Sequence, residues 1–172
     1  LSWDIPNIEC ERFPAYVRQH RMPDDLRLTD CTTAAQVHGR RGRAQVSRDD
    51  NAYLSVALIV AGTEQLDYGD GRVIVLPTGA FTLWDSTKPL TFTTSADLRQ
   101  ISLMLPHEML LQRLPQAREL VGRPISGLQG AGGLFADHLT SLLRRLPEMS
   151  GPAQEQAVGL AVDLLGLCLR EQ

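Results

Sequence analysis

Histidine pairs, cysteine clusters and phosphate-cradling glycine loops are all missing from this 172-residue sequence. His20, His38, His107 and His138 stand alone, with no H-x-H, H-E-x-x-H or paired-carboxylate spacing around them. A metal or hydrolytic centre needs several such groups converging on one face. Each histidine is therefore expected to be structural or solvated, with His107 exposed in a first helical turn and His138 beside an apolar stripe. Cys10, Cys31 and Cys168 lie far apart and form no C-x-x-C, which argues against a zinc site. An odd thiol count without an export signal fits a reducing cytoplasm, with the thiols packed as small hydrophobes. "GLQGAGG" (127–133) has no Lys-Ser/Thr and no preceding strand, so it reads as a loop. No G-x-S-x-G is present, so there is no nucleophile elbow. No apolar run approaches the roughly 18 residues of a membrane span, and the acidic start "LSWDIPNIECERF" lacks a signal-peptide layout. These absences leave no catalytic residue, metal or cofactor to assign, and no membrane partner.

A strongly basic balance is also missing. The formal net charge is −3, whereas a chain that grips nucleic-acid phosphates usually carries an excess of Lys and Arg. One local basic run, "HGRRGR" (38–43), reads as a solvated loop, with an anionic ligand or a partner as the alternative.

What is present divides by composition. Residues 1–25, with Pro6, Pro14 and Pro23, read as an irregular segment packing on the body of the domain. Residues 26–105 are rich in Val, Ile, Leu and Thr, with turn residues at short intervals. Residues 106–172 are Leu-rich at helical spacing. Strands first and helices afterwards predict a mainly β, α+β domain: a small barrel of six or seven strands, then two or three helices, in a single structural unit.

"YLSVALIVAG" (53–62) is nearly all apolar and predicts a strand buried on both faces. Asp70-Gly71 predicts a hairpin, and Pro77 with Gly79 the next tight turn. In "RQISLMLP", Ile101, Leu103 and Leu105 alternate with Ser102 and Met104, the pattern of a half-buried strand. Pro106 suits the first residue of a short helix. A second helix is expected from about Leu134 to Leu146. A third opens near Ser150, the expected cap, and carries two apolar stripes with only a narrow polar one. A helix apolar over most of its girth must be buried on more than one side. Val158, Ala161, Val162, Leu164, Leu165 and Cys168 are the candidates for a subunit contact, so a homodimer is expected, and Leu164→Glu or Leu165→Glu should weaken it.

Tyr53, Tyr68, Phe81, Trp84 and Phe92 all fall on expected strands, in a chain only 5% aromatic. Pockets for small ligands are mostly apolar with a few orienting polar groups. Candidate lining residues are Tyr53, Ser55, Trp84, Phe92, Arg99 and Ile101, with Gln100 and Thr82 as further polar groups. The alternative is that the rings simply fill the barrel. Strand parity is legible here, but the parity that faces the lumen is not.

The stretch from Gly62 through "DGR" (70–72) and "LPTGAFTLWDSTKP" (76–89) to "RQISLMLPHEML" (99–110) resembles the N-terminal regulatory domain of AraC/XylS-type bacterial transcription regulators, in the AraC-binding-like branch. The similarity spans roughly residues 26–172. Ala80 stands where that family commonly has Asp after the turn glycine, a position that serves the turn. The resemblance implies a cupin-like barrel followed by helices that mediate dimerisation, a small-molecule effector, and DNA binding through helix-turn-helix motifs that this sequence does not contain. The start at Leu1 and the end at "LCLREQ" fit a sensor segment of a longer regulator. The competing expectations are a cupin-type metal enzyme and a ligand-free interaction module.

Overall fold

In a computed structural model the described residues are 1–5 and 15–171. Pro6, Cys10 and Pro14 lie outside them. Ten strands and four α-helices are found among the described residues. In chain order these are β1 (Ala15–Arg21), β2 (Arg27–Thr33), β3 (His38–Arg41), α1 (Arg43–Val46), β4 (Tyr53–Ala61), β5 (Thr63–Asp67), β6 (Val73–Pro77), β7 (Ala80–Asp85), β8 (Leu90–Thr94), β9 (Arg99–Pro106), α2 (His107–Arg113), β10 (Ile125–Ser126), α3 (Gly130–Arg145) and α4 (Gly151–Arg170).

The strands form two antiparallel sheets. One has six strands in the order β1-β2-β9-β4-β7-β10, and the other four in the order β3-β8-β5-β6. The almost wholly apolar β4 lies between β9 and β7, and it is buried from Tyr53 to Ile59. Its two faces enter different cores. Leu54, Val56 and Leu58 pack with Ile101, Leu103 and Leu105 of β9 and with α3 and α4. Ala57 and Ile59 face the other way, toward Leu66, Leu76 and Leu90 of the four-stranded sheet. The six-stranded sheet is thus the middle of three layers, with helices on one side and the smaller sheet on the other.

The Asp70-Gly71 hairpin joins β5 to β6, closed by a bond from the Tyr68 N–H to the Arg72 carbonyl at 3.1 Å. Gly79 turns β6 into β7 at φ +83°, a backbone angle that L side chains resist.

Four expectations are corrected. Residues 15–21 are not irregular: they form β1, paired along its length to β2. This edge strand is largely exposed, so it carries no alternating apolar signal. The "HGRRGR" run is not a solvated loop: His38–Arg41 is β3, and Arg41 is 1% exposed. Helix α3 begins inside the glycine-rich stretch, at Gly130 rather than Leu134. Gly132 is needed there because a Cβ would collide with the Ser126 carbonyl of β10. Finally, His107 is half-buried rather than exposed; its N–H donates to the Ala52 carbonyl at 2.9 Å.

Helices α3 and α4 pack on each other and on the outer face of the six-stranded sheet through Phe135, Leu139, Leu142, Val158, Val162 and Leu165. His138 Nε2 lies 2.8 Å from the Ala157 carbonyl, and the Glu171 carboxylate accepts the Ala131 N–H at 3.1 Å. Ser150 occupies the cap position of α4 without a side-chain bond. Among the described residues no helix is long and apolar enough to cross a membrane.

Candidate functional site

The space between the two sheets is not packed solid. It holds a cavity of about 380 Å³, within the range of small-molecule sites. Which parity faces it follows from the layer order. On β9 the more polar set, Gln100, Ser102 and Met104, lines the cavity, while Ile101, Leu103 and Leu105 face the helices.

Three of the six candidate lining residues come together there: Ser55 from β4, Trp84 from β7 and Phe92 from β8. The Ser55–Trp84 pair and the Ser55–Met104 pair are direct cross-strand neighbours. The other three lie elsewhere. Ile101 is in the helix-facing core, the opposite parity from the lumen. Arg99, 45% exposed, points outward and pairs with Asp30 at 3.1 Å. Tyr53 sits beyond the cavity wall, its ring under the guanidinium of Arg27, which does line the cavity. Of the further polar groups, Gln100 lines the cavity, and Thr82 turns its hydroxyl to the Arg123 carbonyl at 2.8 Å.

Two lining groups are not among the residues that the sequence singles out. Leu1, Trp3 and Ile5 enter the cavity from the start of the chain. Trp3 packs edge-on to Trp84 and Phe92, with ring centroids 5.6 Å and 5.0 Å apart. Reciprocal backbone bonds between Asp4 and Arg40, at 2.8 and 2.7 Å, dock this segment on β3. Arg41 holds it from beneath, donating to the Ser2 carbonyl at 2.9 Å and pairing with Asp49 at 2.5 Å. Burial raises the Asp49 carboxyl, but bonds from Arg41 and Ser2 outweigh this and hold it below its ordinary value.

The second missed group is Glu64, 6% exposed. It reaches from β5 across the lumen, where its Oε2 accepts from Gln100 Nε2 at 2.6 Å. Burial raises the Glu64 carboxyl to about 7, against the smaller opposing effect of the Gln100 bond. The available signal was parity: Glu64 shares a strand face with Leu66, an acid where an apolar residue is expected.

The opposite end of the cavity is electrically closed. Arg27 donates to Asp25 at 2.9 Å and to the Tyr53 hydroxyl at 2.7 Å. The Tyr53 hydroxyl donates to Asp25, and that bond, with Arg27, keeps the Asp25 carboxyl below its ordinary value. Among the described residues no group of three His, Cys, Asp or Glu is arranged to hold a metal ion.

The class this architecture defines is shared with known proteins. The AraC-binding-like domain profile matches residues 3–170, and the chain belongs to that family. The transcriptional activator NphR of Rhodococcus sp. is 31% identical over 133 residues, 76% of this chain and 39% of that protein. The crystal structure of the AraC-like transcriptional activator CuxR superposes with a TM-score of 0.84 at 19% identity, covering 98% of this chain and 60% of that one. An rmlC-like cupin protein from Desulfovibrio desulfuricans is a looser match, at 13% identity and TM-score 0.44, covering 57% of this chain and 86% of that one. The chain thus spans less than two thirds of the length of either regulator it resembles.

Proposed function

We propose that this chain is the effector-sensing part of an AraC-type transcription regulator, and not an enzyme. The observation that carries this is a cavity lined by aromatic rings and a few buried polar groups, in a chain of the AraC-binding-like family. A small organic molecule enters between the sheets and contacts Ser55, Trp84, Phe92 and Gln100. Ligand in this space can shift the protein between two states only in so far as it binds one of them better. The N-terminal segment carrying Trp3 and the β7–β10–α3 path are the elements whose packing a ligand would bias. DNA is read by a part of the regulator outside this sequence, which accords with the net charge of −3. The regulator works in the cytoplasm.

Dimerisation falls to α4, where Leu164 alone of the six candidates keeps free surface. Val158, Ala161, Val162, Leu165 and Cys168 are already buried within the chain. The free surface of the helix is the ridge of Leu160, 56% exposed, with Leu164 and Leu167 half-buried beside it.

The sensing role is tested by a thermal-shift and calorimetry screen of small metabolites on this chain. Binding should raise the melting temperature by mass action, and Ser102→Phe, which fills the cavity, should abolish it. A folded domain that no compound stabilises would support the ligand-free interaction module instead.

A further inference from the structure

The polar end of the cavity is built to present a hydrogen-bond acceptor. Ser102 Oγ donates to Gln100 Oε1 at 3.0 Å, which leaves the Gln100 amide nitrogen to donate to Glu64 at 2.6 Å. Every bond in this relay runs toward the carboxylate. The other carboxylate oxygen of Glu64 has no hydrogen-bond partner among the described residues, and the residue lines the cavity.

No countercharge reaches it. Arg27, the side-chain cation lining the cavity among the described residues, is bound to Asp25 and Tyr53, and the α-ammonium of Leu1, a residue that also lines it, makes no ion pair with Glu64 among the described residues. Arg99 pairs with Asp30 outside, and Arg41 is bound to Ser86, Ser2 and Asp49. A buried carboxylate without a cation is unfavourable, and a ligand that supplies one relieves it. Trp3, Trp84, Phe92, Leu66, Leu98 and Met104 give the remaining wall its apolar and aromatic part, beside the uncharged hydroxyls of Thr33, Ser55 and Thr94.

We infer that the effector is a small hydrophobic amine or amidine, its cationic nitrogen donating to Glu64 and its hydrocarbon or aromatic body lying against Trp3, Trp84 and Phe92. Charge-assisted bonds of this kind are about twice as strong as neutral ones, and aromatic faces add attraction for a cation. The inference rests on the sensor role proposed above.

It also fixes a pH dependence. The carboxylate form of Glu64 is the one that binds a cation, so affinity rises from pH 6 to pH 8. The other titratable groups set against Glu64 are the Cys31 thiol and the Tyr68 hydroxyl. Burial raises both, the second to about 12, so neither changes charge in that window. His20 and His38 do not line the cavity.

The test uses the chain as it stands, with calorimetry of hexylamine, phenethylamine and benzamidine against hexanol, phenethyl alcohol and phenylacetate. At least one amine or amidine should bind, more tightly at pH 8 than at pH 6, and more tightly than its alcohol. Glu64→Gln should weaken it at least about tenfold, the scale of a lost charged hydrogen bond. Circular dichroism checks that the variant is folded; should it not fold, the pH series and the probe comparison on the unaltered chain decide the matter. Binding of the alcohols or of phenylacetate in preference to the amines overturns the inference and leaves the sensor role standing. Binding that is stronger at pH 6, or indifferent to Glu64→Gln, overturns it too. If none of the six compounds binds, the inference falls; if a broad metabolite screen also finds nothing, the sensor role falls with it.

Discussion

Replacing Glu64 by Gln should stabilise the empty domain. The carboxyl is pushed from an ordinary value near 4.5 up to about 7. At about 1.4 kcal/mol per tenfold change in proton affinity, that gap corresponds to about 3 kcal/mol. The sign follows from proton uptake. Between pH 4.5 and 7 the folded state holds a proton that the unfolded chain has released, so stability falls as pH rises through this range. Below the lower limit both states are protonated and the penalty vanishes; above the upper limit it is fully developed. Gln keeps the shape and can still accept from the Gln100 amide. Glu64→Gln should therefore gain up to about 3 kcal/mol at pH 8, or roughly 6–12 °C in melting temperature for a domain of this size, and almost nothing at pH 4. Denaturant melts of both proteins across pH 4–8 measure this directly. A variant no more stable than the parent at pH 8, or with an unchanged pH slope, would refute the assignment of Glu64 as an uncompensated buried acid.

Other perturbations separate surface from core. Leu160→Glu and Leu164→Glu should shift sedimentation from dimer toward monomer with little loss of stability, whereas Leu165→Ala should cost about 2–5 kcal/mol through the cavity it opens. Arg41→Ala strips partners from Asp49 and from the Ser2 and Ser86 carbonyls. It should cost about 3–5 kcal/mol and red-shift tryptophan emission as the segment bearing Trp3 loosens. Gly132→Ala should lose roughly 1–3 kcal/mol by overpacking against Ser126. Gly133→Ala, whose Cβ would meet Leu128 at an ordinary 3.4 Å, should be neutral or gain up to about 1 kcal/mol of helix propensity.

The elements that bury one patterned face, or both, were legible in the sequence. β4 showed itself by an unbroken apolar run, β9 by alternation, and the hairpin by Asp70-Gly71. What the sequence could not convey was which apolar face meets which neighbour. On β9 the more apolar parity belongs to the helices, because the helix-facing layer is the dry core and the lumen holds the polar relay. Ile101, chosen as lining, is on the wrong side for that reason. The same ambiguity misled the choice on α4: both apolar stripes were visible, and five of the six residues selected belong to the stripes that the chain itself covers. β1 was missed because an exposed edge strand needs no apolar alternation, only free backbone bonds to β2. Trp3 was missed because a short docked segment has no period to detect.

The central claim, that the space between the sheets is an effector site, can be read optically. The chain has two tryptophans, Trp3 and Trp84, and both line the cavity. Titrating small-molecule ligands while recording tryptophan emission should give a saturable change that Ser102→Phe eliminates. Emission that stays constant while a ligand demonstrably binds, or that changes equally in Ser102→Phe, would place the site elsewhere and contradict the account.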